Sequence, residues 1–138
     1  MKRIKKRISA ILAVFTVTLM HPFPTFASGV LTDSGTCGEN LTWELYLELE
    51  YNYTLKISGR GDMYDYSDTY QNRDPWESRY ASIKSCEITG GVTSIGSYAF
   101  NDHKALASVN ISDSVTSIGD KAFGSCTSLT SINIPDAV

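Results

Sequence analysis

The chain has 138 residues, 42% of them hydrophobic and 20% charged, which fits one ordinary domain. Five of its twelve basic side chains lie in the first seven residues, so from Ser28 onward seven basic groups face fifteen acidic ones, a balance of −8. Such a surface repels phosphate backbones and argues against nucleic-acid binding, and no run reaches the roughly eighteen apolar residues of a membrane span.

The N-terminus reads as an export signal. MKRIKKR is a cationic leader, Ile8 to Met20 is a continuous apolar run, Pro22 and Pro24 break it, and Thr25 and Ala27 supply acceptably small residues at −3 and −1 of a cut. The run is continuous rather than periodic, which disfavours an amphipathic helix. Cleavage is expected after Ala27, so residues 1–27 form a signal peptide and the mature chain begins at Ser28 outside the cytoplasm, with no transmembrane span left.

Residues 28–82 are expected to form a cap segment. Leu41, Trp43, Leu45, Leu47 and Leu49 alternate with other residues, as do Tyr53, Leu55 and Ile57. Two half-buried strands joined near Glu50 to Asn52 follow from that pattern. Such a β-hairpin would cover the open first coil of whatever comes next. The connection Gly59 to Tyr80 carries Met63, Tyr64, Tyr66, Tyr70, Trp76 and Tyr80, too many apolar groups for an unpacked loop, and some of them are expected against the cap or first coil.

Residues 83–138 repeat. Val92 to Ser114 and Val115 to Ala137 are identical at 12 of 23 positions, and Ile83, Ser85, Ile88 and Val92 match Leu106, Ser108, Ile111 and Val115 half a copy earlier. A period of about 20 to 29 residues marks a leucine-rich-type solenoid. Leu106, Val109 and Ile111 predict a short strand, repeated as Leu129, Ile132 and Ile134. Alternation turns Ser85, Glu87, Ser108, Asn110, Ser131 and Asn133 outward. Gly96 and Gly119 are expected at corners needing φ > 0. Ala99-Phe100 and Ala122-Phe123 are expected on short helical or 3₁₀ turns, with phenylalanine plugging the coil.

V-T-S-I-G-x-x-A-F-x-x-C-x-x-L-x-S-I-x-I-P-D, at Val115 to Asp136, resembles the BspA-like bacterial leucine-rich repeats. The first copy departs from it, with His103 in place of Cys126 and Ser112 in place of Pro135. Ser34 to Trp43, Leu55 to Gly59 and Asp74-Pro-Trp76 resemble the cap that precedes such arrays. The resemblance implies a secreted or cell-surface protein that binds extracellular proteins or glycans, sometimes as an adhesin, and no catalytic machinery. The outward column is the expected ligand face. The alternative is a scaffold or targeting segment of a larger secreted protein, one that could be an enzyme with its catalytic part beyond Val138.

Other motifs carry less. Arg60-Gly61-Asp62 matches the integrin-recognised tripeptide, but an ordinary turn freed by Gly59 and Gly61 explains it as well. His103 beside Asp102 is read as a surface-turn histidine, since no nucleophile accompanies it. Asp62, Asp65 and Asp68 lack the calcium-loop pattern, and no ligand spacing for zinc exists; neither metal nor cofactor is expected. Cys86 and Cys126 have phases on opposite walls and should not bridge, because bridged Cα atoms lie within about 7 Å. Cys37–Cys86 stays open if the cap packs on the first half-copy; the other reading makes Cys86 and Cys126 small buried hydrophobes. The last copy lacks a polar closing segment, so self-association through its open face is expected.

Overall fold

The computed structural model describes residues 29–138; the expected signal peptide lies outside them. Among the described residues, seven strands carry the fold: β1 (Val30–Thr36), β2 (Leu41–Leu47), β3 (Tyr53–Asp62), β4 (Ile83–Ile88), β5 (Gly91–Ile95), β6 (Ser108–Ile111) and β7 (Ser117–Ile118). β1 to β3 form an antiparallel meander, β3 pairs parallel with β4, and β4 with β6; β5 joins β3 to β7 in a second parallel ladder. The architecture is strand-rich and leucine-rich-repeat-like.

The hairpin forms where expected, with one tight turn at Leu49–Tyr51 in which Glu50 and Tyr51 take left-handed φ. Leu41, Trp43, Leu45, Leu55 and Ile57 are buried, but Leu49 falls on the turn and is 88% exposed. β3 then does more than cover the first coil. Its first half, Tyr53 to Ile57, pairs with β4, and its end, Arg60 to Asp62, pairs with β5. One strand therefore starts both ladders, bending at Gly59. That residue has φ +120°, and a Cβ there would sit 2.1 Å from Asn40 O, so only glycine serves.

The tyrosine-rich segment continues this path as a rudimentary coil. Met63 and Tyr66 donate backbone N–H groups to Ser94 and Ser97 of the next coil. Met63, Tyr66 and Trp76 are buried, whereas Tyr64, Tyr70 and Tyr80 face solvent. Trp76 lies over Phe100 with ring centroids 5.6 Å apart, and Phe100 over Phe123 at 5.2 Å. Trp43 and Tyr66 meet Trp76 edge-on.

Three details of the repeats differ from expectation. First, the Ala-Phe segments are turns that form neither a helix nor a continuous 3₁₀ run. N–H groups of Ala99, Asn101 and His103 bond three residues back, while those of Tyr98, Phe100 and Asp102 cross to Asp120, Ala122 and Gly124 of the next copy. A helix would keep every bond within its own chain segment; here alternate donors stitch the copies together, and Tyr98, Asp102, Lys121 and Ser125 adopt left-handed φ to allow it. Second, Gly96 and Gly119 are not among the positive-φ residues. They are needed for close approach: a Cβ on Gly96 would lie 1.9 Å from Tyr64 O, and one on Gly119 2.4 Å from Ser97 N. Third, residues 130–134 form no strand. Ser112 donates its N–H to Ile88 O at 3.0 Å, and Pro135, its counterpart, has no N–H for that rung. Leu129 and Ile132 are half-buried, and Ile134 is 50% exposed.

Phe100, fully buried, and Phe123, half-buried, give an ordered pair of outcomes. Phe100→Ala should lower stability by about 3–5 kcal/mol and Phe123→Ala by less, because the void left is smaller where packing is looser. Denaturant melts read this directly, and equal sub-kcal losses would show that neither ring fills a core.

Candidate binding face

The outward side of the main sheet is built by strand alternation. In β4 and β6, Ile83, Cys86, Ile88, Val109 and Ile111 are buried, which leaves Ser85, Glu87, Ser108 and Asn110 on the other side. Register aligns them in two rows, Ser85 with Ser108 and Glu87 with Asn110. Ser131 and Asn133 are exposed but lie on no strand, so they do not extend the rows as expected.

The rows extend instead into the cap. Tyr46 pairs with Thr54 and Thr54 with Ser85; Glu44 pairs with Lys56 and Lys56 with Glu87. Side chains link along them: Thr54 and Ser85 hydroxyls meet at 2.9 Å, Lys56 Nζ lies 3.6 Å from Glu87 and over the Tyr46 ring, and Tyr46 donates to Glu44 at 2.9 Å. That bond raises the Tyr46 phenol above its ordinary value. Glu44, Tyr46 and Lys56 were legible only as solvent-side residues of a hairpin, because nothing local told that β3 would pair with β4; that pairing also buries Thr54 between its neighbours in the row.

Arg60, Gly61 and Asp62 end β3 rather than forming a turn. Arg60 donates its backbone N–H to Asn40 O, and Asp62 accepts the Thr93 hydroxyl at 2.7 Å, a bond that holds its carboxyl below the usual range. A tripeptide paired on both backbone and carboxylate is not presented as a projecting loop. Asp65 likewise accepts the Ser97 N–H at 2.7 Å. Among the described residues, no group of three or more His, Cys, Asp or Glu is placed to hold a metal ion.

His103 is corrected most. It is fully buried, because its turn folds inward at the position where Cys126 sits in the next copy. The shared phase with Cys126 was the available signal. Its Nε2 faces Asp74 Oδ1 at 3.6 Å, on a carboxyl that is also buried. Burial holds His103 down to about 4 against the pull of Asp102, and burial, aided by Glu77, pushes Asp74 up to about 7. Cys37, Cys86 and Cys126 are buried and unbridged, so the Cys37–Cys86 pairing left open by the sequence is not formed.

A family model described as "BspA type Leucine rich repeat region (6 copies)" matches residues 78–138. Residues 78–138 belong to the BspA-type leucine-rich repeats. A leucine-rich repeat protein from Eubacterium ventriosum ATCC 27560, known from its crystal structure, is similar at 33% identity over 74% of this chain, with a TM-score of 0.61. The chain spans 26% of that protein. No curated protein matches.

Burial pushes the Cys37 thiol up to about 12 and that of Cys126 up to about 11, and only the thiolate alkylates. Iodoacetamide near neutral pH should therefore leave the folded protein unmodified, and mass spectrometry should find all three thiols labelled after denaturation. Rapid labelling of folded protein would contradict the burial.

Proposed function

We propose that the chain works outside the cytoplasm as a binding module whose sheet face contacts an extracellular protein or glycan, and that it is not an enzyme. The observation carrying this reading is the pair of in-register polar rows, continuous from cap to repeats. At the cap end the side chains hold one another. At the repeat end Ser108 and Asn110 are exposed, and no side-chain hydrogen bond engages them among the described residues. A rigid backing with free short polar groups at its front suits hydrogen-bonded recognition. The family match and the leader-like N-terminus support an exported, surface-associated role, including adhesion. No helix among the described residues is long and apolar enough to cross a membrane.

The test uses exported protein, whose intact mass should correspond to a chain starting at Ser28. Binding to arrays of extracellular-matrix proteins and glycans should fall at least about tenfold, or about 1.4 kcal/mol, in the double variant Ser108→Arg, Asn110→Arg, while Arg60→Ala retains it. Unchanged binding by the double variant, or loss of binding in folded Arg60→Ala together with inhibition of the wild-type chain by a free RGD peptide, would overturn the assignment of the face.

A second reading is favoured by the 26% coverage of the structural relative: the chain is the N-terminal scaffold of a longer exported protein. Its half-exposed Ile134 and Val138 would then be covered by a further repeat, or by self-association in the isolated chain. Light scattering over a concentration series distinguishes these, and a monomer at every concentration argues against self-association.

A further inference from the structure

The two repeat copies differ at one inward position of the turn wall. In the second copy, Cys126 donates its thiol hydrogen to Phe100 O, 3.0 Å away in the preceding coil. Before the first copy stands the cap segment, and there His103 meets the Asp74 carboxyl instead. Nε2 and Oδ1 are 3.6 Å apart on side chains 0% and 6% exposed, and neither atom has another partner. Nδ1 lies 3.4 Å from Asn101 O; a carbonyl only accepts, so Nδ1 carries hydrogen. A bare Nε2 lone pair would then confront a bare carboxylate in a buried site, which is costly without a proton between them.

We propose that Asp74 and His103 form a one-proton latch that fastens the cap segment onto the first coil, histidine replacing cysteine in the copy that abuts the cap. The shared proton sits on the Asp74 carboxyl, which presents it to the bare Nε2 of a neutral His103; the pair holds one in total. The groups around Asp74 are Tyr66, Asp68, Arg73 and Glu77 of its own segment and Asp102 of the facing turn. Those facing His103 are Asp102 of its own turn and Cys126 of the next coil.

The latch has a particular pH signature. Folded, the pair keeps one proton between about pH 4 and about 7; unfolded, with ordinary values of 3.8 and 6.5, it also keeps one. Equal proton counts mean no pH slope from this pair. Breaking it exposes two opposite slopes. In Asp74→Asn, His103 has a folded value below its unfolded one, so the unfolded chain takes the proton first. Relative to wild type, the folding constant should fall as pH drops from 6.5 toward 4, by up to about 300-fold. In His103→Gln, Asp74 has a folded value above its unfolded one, so the folding constant should fall as pH rises from 3.8 toward 7, by up to about 1,000-fold.

Denaturant melts of the full chain across this range measure both profiles. Opposite slopes support the latch, and two variants that parallel wild type at every pH overturn it. Should a variant not fold, ring-nitrogen NMR of the wild-type chain decides: the His103 signal should stay unchanged as pH is lowered through 6.5, and an ordinary titration there overturns the proposal.

Discussion

The stacking of Trp76, Phe100 and Phe123 sets the geometry of the molecule. Their centroid spacings, 5.6 and 5.2 Å, are close to the roughly 4.7–4.9 Å between paired strands. One aromatic ring per coil therefore fills the interior without stretching the ladders. The Trp76 indole N–H also donates to Ala99 O at 3.1 Å in the buried column. Since Trp76 precedes the repeats and Phe100 lies within the first, cap and array share one interior. Neither can bury its apolar face alone, as is general for stacked repeats.

The backbone obeys the same constraint. β3 belongs to a hairpin on one side and to both parallel ladders on the other, so it converts an antiparallel meander into the first rung of a coil. This makes the outward rows of the face continuous across the junction. It also fixes the glycines: Gly59 permits the bend, and Gly96 and Gly119 permit successive coils to touch at van der Waals distance. The direction of side chains on the face is thus a consequence of what the interior requires.

Much of this was legible in the chain because periodicity reports burial. The inward triplets Ile83, Cys86, Ile88 and Leu106, Val109, Ile111 are buried as the repeat implies, and the hairpin follows from alternation at Leu41 to Leu45 and Leu55 to Ile57. β1 left no such mark. Nearly all its residues are exposed, and backbone pairing with β2 holds it, so its side chains encode no inward face. The turn wall follows neither a regular helix nor a 3₁₀ run, because inter-copy donation from Tyr98, Phe100 and Asp102, which has no sequence signature, alternates with its three-back bonds. Asp74 was not paired with His103 because 29 positions separate them and nothing local marks either as buried. The alignment of His103 with Cys126 marked one half of that pair. The extension of the face into Glu44, Tyr46 and Lys56 depended on the parallel pairing of β3 with β4, a tertiary fact.

Native-state amide hydrogen exchange reads whether cap and repeats form one cooperative unit through the Trp76 column. Leu55 and Ile57 report on the cap side of the junction, and Phe100 and Asp102, whose N–H groups cross to Ala122 and Gly124, on the repeats. Both sets should exchange through a single opening free energy, lowered equally by Trp76→Ala. Cap amides that exchange through a separate, lower-energy opening, or a Trp76→Ala effect confined to one set, would contradict it.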